Sequence, residues 1–445
     1  MMTLDQLLSS PRAALLVGFG VTNRAVAAAL VRRGHSVTVI DDRGGDDVNA
    51  AAAELGLLVA DDPDAVGAHV AAADLVIPTP GLPEHHRVFG AAERGGVPIV
   101  SELDLAGVWD DRPVVAVTGT NGKTTVVELA VAALAEDGRC AIAAGNTDTP
   151  LVAAIDDPAI EVFVVEASSF RLARAERFRP LVAAWLNFAP DHLDVHVDLD
   201  AYEAAKARIF ALVGAEGTVV ANAGDPVVMR NVPPGRRLVT FGTAAADWRV
   251  EAGTLVGPQG PFGCTTDLWR SLPHDLDNTL AVAALLDPIG VEPEAVARAA
   301  ANFPTMPHRL TPVGQLDGQT YFDDSKATTP HATLAALRGF EEVILIAGGK
   351  NKGIDLGDLA AGAEHVRAVV AIGEAMGEVA AAFADRVPVE TASTLEAAVD
   401  LARSLSAGEV PVLLSPGCAS FDWYSNYAER GDDFARTVGE REARS

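Results

Sequence analysis

Positive charge, aromatic side chains and cysteine are all scarce in this 445-residue sequence. Aromatic residues make up only 5%, but hydrophobic residues reach 49% and charged residues 21%, a composition that suits packed cores and argues against disorder. Lysine and arginine together number 34 against 61 aspartates and glutamates, so the formal net charge is −27. A surface this acidic repels nucleic acid and anionic membranes, and we expect neither as a partner.

The cysteines and the apolar segments exclude further classes of protein. Cys140, Cys264 and Cys418 lie far apart with no CxxC pair, which argues against a disulfide framework or a thiolate zinc site and suits a reducing compartment. Residues 1–10 lack the basic and apolar segments of a secretory signal, and no later apolar run approaches the ~18 residues that span a bilayer. We therefore expect a cytoplasmic protein without membrane insertion.

Short Val/Ile/Leu runs alternate with Ala-rich stretches of helical period, such as 126–135 and 395–402. This pattern is typical of parallel strands covered by helices, and it predicts an α/β fold throughout. The predicted buried strands are residues 13–17, 37–40, 75–77, 114–117, 162–165, 343–347, 369–372 and 412–414.

Two proline-containing polar turns, at 110–113 and 304–307, each lead into a new strand or motif. They predict three domains, which comprise residues 1–112, 113–305 and 306–445. We find no internal repeat.

The strongest chemical signal is residues 114–125, VVAVTGTNGKTT. An apolar strand enters a glycine-containing turn and then a helix, so backbone N–H groups converge where a polyphosphate would bind. Lys123 would pair with the β- and γ-phosphates, and the Thr124 hydroxyl would ligate Mg²⁺. The spacing Gly-x-x-Gly-Lys-Thr lacks the first glycine of the strict eight-residue loop. A strand–turn–helix without nucleotide is the alternative.

Polar side chains follow two further strands. Glu166 follows the strand at 163–165, and His192 follows the strand at 183–186. The carboxyl edge of a parallel sheet is where ligands bind, so Glu166 could hold a Mg²⁺ ion that bridges phosphates, with His192 as a further ligand candidate. Lys206 lies in a helical stretch, 201–210, with enough apolar neighbours to bury one end.

The first predicted strand leads into Gly18-Phe19-Gly20-Val21-Thr22-Asn23, and Asp41 ends the second strand. This is similar to a dinucleotide fingerprint, but Asn23 stands where the third glycine is usual. A diphosphate at the helix N-terminus is favoured physically, and an NAD site is the alternative.

The loop TGTNGKTT resembles the ATP loop of the Mur ligases and of their folylpolyglutamate synthetase relatives. Three later segments are also similar to this family: PHR at 307–309, DSKAT at 324–328 and the glycine-rich turn at 348–353. The stretch from Ser415 to Gly431 resembles the SPxxASxDxFxxFxxRG signature of the members that add D-glutamate. The GxGHE and GAGDI segments of members that add other amino acids are absent.

The resemblance implies three domains: a Rossmann-like UDP-sugar domain, a central P-loop ATPase-type parallel-sheet domain and a C-terminal Rossmann-like amino-acid domain. It assigns catalytic roles to Lys123, Glu166, His192 and Lys206, and two Mg²⁺ ions to Thr124, Glu166, His192 and a Lys206 carbamylated by CO₂. The implied ATP contacts are Gly119, Thr120, Asn121, Gly122, Lys123, Thr124, Thr125, Asn278, Arg309 and Asp324. The implied UDP-sugar contacts are Val21, Thr22, Asp41, Arg43, Thr79, Gly81 and Asn146. The implied D-glutamate contacts are Lys326, Thr328, Lys352, Ser420 and Tyr427.

Two residues depart from the family pattern, Thr329 where asparagine is usual and Tyr427 where phenylalanine is common. The implied function is ATP-dependent addition of D-glutamate to UDP-N-acetylmuramoyl-L-alanine through an acyl phosphate, in peptidoglycan precursor synthesis, by a monomer. The alternatives are another Mur-type ligase, a folylpolyglutamate synthetase-like ligase, against which the 112 residues before the ATP loop argue, and a P-loop ATPase switch.

Overall fold

The computed structural model describes residues 4–57, 59–60, 62, 65–193 and 195–443. These form two compact units. The first comprises the described residues up to Leu268 apart from Ala189–Leu193, together with Asp277–Asn302. The second comprises Ala189–Leu193, Trp269–Leu276 and the chain from Phe303 onward. Over the described residues, no helix combines the length and the apolar character needed to cross a membrane.

The first unit begins with a three-stranded parallel sheet in the order β2-β1-β3. Its apolar strand residues pack against helix residues such as Val26 and Leu30, all of them buried. The strands are β1 Ala13–Val17, β2 Ser36–Ile40 and β3 Leu75–Pro78. The helices are α1 Leu4–Leu8, α2 Val21–Arg32, α3 Asp46–Glu54, α4 Val66–Ala71, α5 Arg87–Gly95 and α6 Glu102–Trp109.

A nine-stranded sheet follows, in the order β12-β11-β10-β9-β8-β7-β4-β6-β5. Its strands are β4 Val114–Thr118, β5 Ala141–Gly145, β6 Val162–Glu166, β7 Val182–Trp185, β8 Thr218–Asn222, β9 Arg237–Gly242, β10 Trp248–Glu251, β11 Thr254–Gly257 and β12 Gly260–Cys264. The helices are α7 Lys123–Glu136, α8 Leu151–Ala154, α9 Ser169–Leu172, α10 Leu199–Leu212, α11 Pro226–Arg230, α12 Pro273–Leu286 and α13 Pro293–Ala301, with 3₁₀ turns Thr265–Asp267 and Asp287–Ile289.

The second unit is built on a six-stranded sheet in the order β13-β14-β18-β15-β16-β17. Its strands are β13 Thr311–Leu316, β14 Gln319–Asp323, β15 Val343–Gly348, β16 Val366–Ile372, β17 Val389–Ala392 and β18 Val412–Leu414. Its helices are α14 Pro330–Leu337, α15 Met376–Phe383, α16 Leu395–Ser406 and α17 Tyr427–Glu442, with the 3₁₀ helix Leu356–His365. Apolar residues cover both faces of this sheet, as expected for buried parallel strands.

The predicted α/β fold is confirmed, and all eight predicted strands are present. The sheets also contain antiparallel pairs that the apolar runs did not predict, β10–β11–β12 and β13–β14. The second pair is joined by Asp317-Gly318, both with positive φ, which is the Asp-Gly turn favoured in two-residue hairpins. Each of the three sheets lies within one of the predicted domain ranges, and the exact domain boundaries stay a prediction.

Candidate active site

The phosphate loop lies at the centre of the nine-stranded sheet. Strand β4 pairs in parallel with β6 on one side and with β7 on the other. Because parallel strands end at the same edge, the loop after β4, Glu166 at the end of β6 and Asn187 after β7 meet there. The sequence predicted this edge for Glu166, whereas His192, which was predicted beside it, belongs to the second unit.

The turn from the loop into α7 requires a glycine. Gly122 has φ +85°, and a Cβ atom there would lie 2.7 Å from Oδ1 of the buried Asn278. As the N-cap of α7, Gly122 offers no side chain to the amides of the first helical turn. A helix start without a capping side chain is a place where backbone amides can bind an anion, which is the property that a phosphate site needs.

Asn187 holds this loop in shape, a role that sequence reasoning missed. Its Oδ1 accepts a hydrogen bond from the Asn121 amide at 2.9 Å, and its Nδ2 donates to the Asn121 carbonyl at 3.1 Å. The backbone carbonyl of Asn187 also accepts from the Thr120 amide at 3.1 Å. An asparagine directly after a predicted buried strand at the ligand edge was the available signal.

Two lysines converge on one carbonyl oxygen of the loop. The Nζ atoms of Lys123 and Lys206 each donate to the Gly119 carbonyl at 2.8 Å, and Lys123 also donates to the Thr120 carbonyl at 2.9 Å. Lys206 is 1% exposed, so the predicted burial of its end is confirmed. Its Nζ lies 4.7 Å from the ring centroid of Tyr202, whose hydroxyl is 3.2 Å from Thr120 Oγ1.

Glu166 offers a carboxylate oxygen suited to a divalent cation. Its Oε1 accepts a hydrogen bond from Asn146 Nδ2 at 2.9 Å. Within the part of the chain that the structure describes, the other oxygen, Oε2, is buried and has no hydrogen-bond partner. A buried, unsatisfied carboxylate oxygen beside a phosphate loop fits Mg²⁺, as does the hydroxyl of Thr124 on α7. Asn146, assigned by resemblance to the sugar nucleotide, orients this carboxylate.

Over the same described residues, no group of three or more His, Cys, Asp or Glu side chains is arranged to hold a metal ion. Mg²⁺ usually keeps several waters and takes only one or two carboxylates from the protein. A site built on Glu166, a threonine hydroxyl and nucleotide oxygens is therefore chemically reasonable.

The glycine turn after β1 is held by two side chains. Asn23 is buried, and its Nδ2 donates to the carbonyls of Val17, Gly18 and Ile77, which explains asparagine at the third glycine position. Asp41 accepts from the Phe19 amide at 2.7 Å and from the Arg43 amide at 2.9 Å. Both residues therefore shape the turn.

The start of α2 remains open to a ligand. Val21 is 67% exposed, and the N-cap Gly20 offers no side chain to the first-turn amides. The diphosphate assigned to this turn by resemblance fits such a helix end, since amide donors and the helix dipole favour an anion there.

A cleft in the first unit is bordered by Thr79 and Gly81, two of the predicted sugar-nucleotide residues. Arg171 also lines it and is buried, with one nitrogen 2.5 Å from Glu102 Oε2 and another donating to Thr22 Oγ1 at 2.9 Å. Arg174 lines it too, with its guanidinium 4.1 Å from the ring centroid of Phe89. Sequence reasoning missed both arginines, which follow Glu166 on and after α9.

Five predicted residues of the second unit, Asp324, Lys326, Thr328, Lys352 and Ser420, lie on turns that follow β14, β15 and β18, whereas Arg309 precedes β13 and Tyr427 is the first residue of α17. Asp324 follows β14, and its Oδ2 accepts from the Ser415 hydroxyl at 2.8 Å. Thr329, which departs from the family pattern, is the N-cap of α14, a position that suits threonine and asparagine alike. Its substitution for asparagine therefore keeps the helix start intact.

Lys352 and His192 share one neighbour. Lys352 Nζ donates to Asp191 Oδ1 at 2.9 Å, and His192 Nε2 lies 3.3 Å from Asp191 Oδ2. Burial alone would raise the pKa of Asp191, but His192 and Lys352 outweigh it and hold that pKa below its usual value. His192 belongs to the Ala189–Leu193 segment of the second unit, whereas Lys123, Glu166 and Lys206 belong to the first.

Asp324 gives a pH prediction. Burial raises its pKa to about 7, against the lowering effects of the Ser415 hydrogen bond and the Arg309 charge. Between pH 3.8, the usual pKa of this group, and about pH 7, the carboxyl is ionised in the unfolded protein but keeps its proton in the folded protein. The contribution of Asp324 to the free energy of unfolding therefore falls as the pH rises through this range. Asp324→Asn removes the ionisation, and we expect it to stabilise the protein more at pH 8 than at pH 5, by about 3 kcal/mol at most.

Urea unfolding at both pH values measures this difference. Asp358→Asn, at an exposed position of the same unit, is the matched control and should leave the pH profile unchanged. Parallel profiles for Asp324→Asn and the parent protein would show that Asp324 is already ionised in the folded state.

Two family models match the chain. The Mur ligase middle domain matches residues 117–266, and the Mur ligase, glutamate ligase domain matches residues 308–418. The UDP-N-acetylmuramoylalanine--D-glutamate ligase of Frankia casuarinae is 41% identical, covering 96% of this chain and 94% of that protein. The protein of the same name from Thermobifida fusca is 38% identical, covering 96% of this chain and 98% of that protein.

Solved structures share the three-domain fold at low sequence identity. A pseudomurein peptide ligase type C from Methanothermus fervidus aligns with a TM-score of 0.62 at 16% identity, over 97% of this chain and 100% of that one. The UDP-N-acetylmuramate-alanine ligase of Thermotoga maritima aligns with a TM-score of 0.60 at 20% identity, over 97% and 99% of the two chains. Given the nearly full-length relatives, the matching family models and the shared fold, the chain belongs to the Mur ligase family of ATP-dependent ligases.

Proposed function

We propose that the protein joins D-glutamate to UDP-N-acetylmuramoyl-L-alanine at the expense of ATP, a step of peptidoglycan precursor synthesis that we assign to the cytoplasm. The observation that carries the proposal is the similarity, over nearly the whole length, to relatives with that activity in their names. The segment from Ser415 to Gly431 has the most specific resemblance to members that add D-glutamate. It supports D-glutamate as the amino acid that this protein adds.

A free carboxylate is a poor acyl donor because its leaving group would be oxide. In the proposed reaction, a carboxylate oxygen of the L-alanyl group attacks the γ-phosphorus of ATP, and ADP leaves with the electron pair of the broken bond. The unprotonated amine of D-glutamate then attacks the acyl phosphate carbonyl, and the tetrahedral intermediate expels inorganic phosphate. The nitrogen loses one proton in this step, which the released phosphate or water takes up.

The protein's part in such chemistry is alignment and neutralisation of charge. We assign the phosphates of ATP to the 119–125 loop, with Lys123 as the cation that offsets developing charge, and the ribose to Asp324. Thr124, Glu166, His192 and a carbamylated Lys206 would hold Mg²⁺, which would supply further positive charge to offset the phosphates. Arg309 is assigned to the phosphates as well.

The proposed amino-acid contacts are the two carboxylates of D-glutamate with Lys326, Thr328, Lys352, Ser420 and Tyr427. The turns that carry them are joined through the backbone. Lys350 and Ala419 exchange two hydrogen bonds, at 2.8 and 3.0 Å, which links the turn of Lys352 to the turn of Ser420. Lys326 Nζ lies 5.0 Å from the ring centroid of Tyr427. This concentration of cations in a chain of net charge −27 supports a dicarboxylate ligand.

A panel of D- and L-amino acids, offered with ATP, Mg²⁺ and UDP-N-acetylmuramoyl-L-alanine, tests the proposal. We expect D-glutamate to give a new product mass together with phosphate release, and L-glutamate, D-aspartate and D-alanine to give neither. Product with a different amino acid would reassign the protein to another Mur-type activity. Phosphate release that is independent of any amino acid would instead support a P-loop ATPase switch.

A further inference from the structure

Arg430, on the first turn of α17, is a buried cation among neutral acceptors. The side chain is 1% exposed. Its Nε donates to Ser325 Oγ at 2.9 Å, and its Nη2 donates to the Ser325 carbonyl at 2.8 Å. Both Nη atoms donate to the Cys418 carbonyl at 3.1 Å, and Nη1 also donates to the Ala419 carbonyl at 3.3 Å. All of these acceptors are uncharged.

Burying such a cation is costly, since neutral acceptors replace the hydration of a charge only in part. Burial lowers the pKa of Arg430 to about 10, so the group still carries its proton at neutral pH. A leucine or methionine would fill the same space without this cost. The retained charge and the fixed fork of donors therefore indicate a function beyond packing.

The acceptors of Arg430 belong to two turns that carry proposed substrate contacts. Ser325 lies directly before Lys326, and Ala419 lies directly before Ser420. The Ser325 hydroxyl also donates to the Tyr427 carbonyl at 2.7 Å, so it links Arg430 to the start of α17.

The glycine-rich turn is packed against the same guanidinium. A Cβ atom on Gly349, whose φ is +134°, would lie 2.3 Å from the Ala419 carbonyl oxygen and 3.1 Å from Arg430 Nη1. Only glycine allows this approach. The turn that continues to Lys352 is therefore held against the turn of Ser420, with Arg430 behind both.

We propose that Arg430 is the positioning residue of the amino-acid site. Its guanidinium holds the turns of Lys326, Lys352 and Ser420 in one arrangement and places a positive charge behind a site for a dicarboxylate. The inference rests on the proposed function, because it takes those three residues as the D-glutamate contacts. We assign no substrate contact to Arg430 itself, which acts through the turns.

Kinetics of Arg430→Lys and Arg430→Ala test the inference. We expect KM for D-glutamate to rise about tenfold or more, the equivalent of one lost charge-assisted hydrogen bond, while KM for ATP and for the sugar nucleotide changes less than about twofold. Lysine keeps the positive charge but lacks the planar set of N–H donors of a guanidinium group. Arg430→Lys should therefore not retain the parent KM for D-glutamate. Added guanidinium ion should partly restore the D-glutamate KM of Arg430→Ala, since it can fill the space of the missing group.

Arg436→Ala is the matched control. Arg436 lies on the same helix, exposed, and pairs with Asp433 and Glu440. Its loss should leave all three KM values unchanged. Hydrogen exchange of the substrate-free protein gives a readout that does not depend on activity. Backbone amides of 324–328 and 418–422 should exchange faster in Arg430→Lys than in the parent or in Arg436→Ala.

The outcomes separate this inference from the proposed function. A parent protein that makes no product with D-glutamate would refute the proposed function, whatever the exchange data show. If the parent uses D-glutamate, an unchanged D-glutamate KM in Arg430→Lys would overturn the positioning role. Equal increases in all three KM values, or unchanged exchange in both segments, would overturn it as well.

Discussion

Replacing Lys123 with alanine is expected to lower the rate of D-glutamate-dependent phosphate release by about 10²–10³-fold, the usual cost of removing one electrostatic group from a transition state. The reason is its position at the first residue of α7, where its ammonium group already lies against the loop carbonyls of Gly119 and Thr120. Transfer of a phosphoryl group concentrates negative charge on oxygens that this cation would offset. The loss should appear in kcat, measured at saturating concentrations of all three substrates.

The matched control for Lys123 is Arg298→Ala. Arg298 pairs with Glu136 at the other end of α7, and both side chains are largely exposed. This substitution removes one positive charge beside the end of α7 that is remote from the phosphate loop. We therefore expect full activity. Undiminished amide formation by Lys123→Ala, with thermal stability equal to that of the parent, would contradict the acyl phosphate mechanism as assigned here.

The sequence was sufficient to predict the edge of the central sheet at which Lys123 and Glu166 meet. The reason is physical: parallel strands all end on one side of the sheet, so residues that directly follow buried strands share that side without any knowledge of strand order. The same reasoning applies to the turns that follow the predicted strands 343–347 and 412–414, which pair in parallel. It requires only short apolar runs, which the alanine- and valine-rich composition made easy to recognise.

The side chains that support these turns could not be predicted in the same way. Asn187 bonds to a residue 66 positions earlier, and Arg430 bonds to Ser325, 105 positions earlier. Such contacts depend on how strands are ordered and how helices pack, and local patterns carry no record of either. Asn187 lies in no motif of its own, and Arg430, although it is the arginine of the 415–431 signature, received no contact from that match.

Residue type alone also left the roles of some fingerprint positions open. Asp41 ends the second strand, as the acid of a dinucleotide fingerprint does, but it accepts from the Phe19 and Arg43 amides and so holds the glycine turn. Asn146 bonds to Glu166. Their assignments to the sugar nucleotide stay predictions. The structure adds a second function for each, in shaping the neighbouring residues.

One signal in the sequence was stronger than any single motif. The chain has five lysines, and all of them lie in the segments proposed to bind substrates or metal: Lys123, Lys206, Lys326, Lys350 and Lys352. Every other basic side chain that can form a permanent cation is an arginine, including those of the surface ion pairs. An ammonium group has a compact charge and can react when neutral, which arginine cannot match.

This scarcity of lysine makes the state of Lys206 measurable. Its Nζ is buried, 2.8 Å from the Gly119 carbonyl oxygen and 4.7 Å from the Tyr202 ring centroid. An ammonium group is costly to bury, and the neutral amine is the form that reacts with CO₂ to give a carbamate and a proton. We expect a carbamate on Lys206, which would turn a cation beside the phosphate loop into a metal-binding anion.

Protein equilibrated with ¹³C-bicarbonate should show one protected carbamate resonance in the ¹³C NMR spectrum. Lys206→Gln should lose this resonance and reduce the rate by about 10²-fold or more, because a glutamine amide cannot carry the charge that the metal needs. Lys350→Gln, at an exposed lysine, should keep the resonance. If Lys206→Gln retained the parent rate, the carbamate would have no part in catalysis, and Glu166 would have to serve the metal without it.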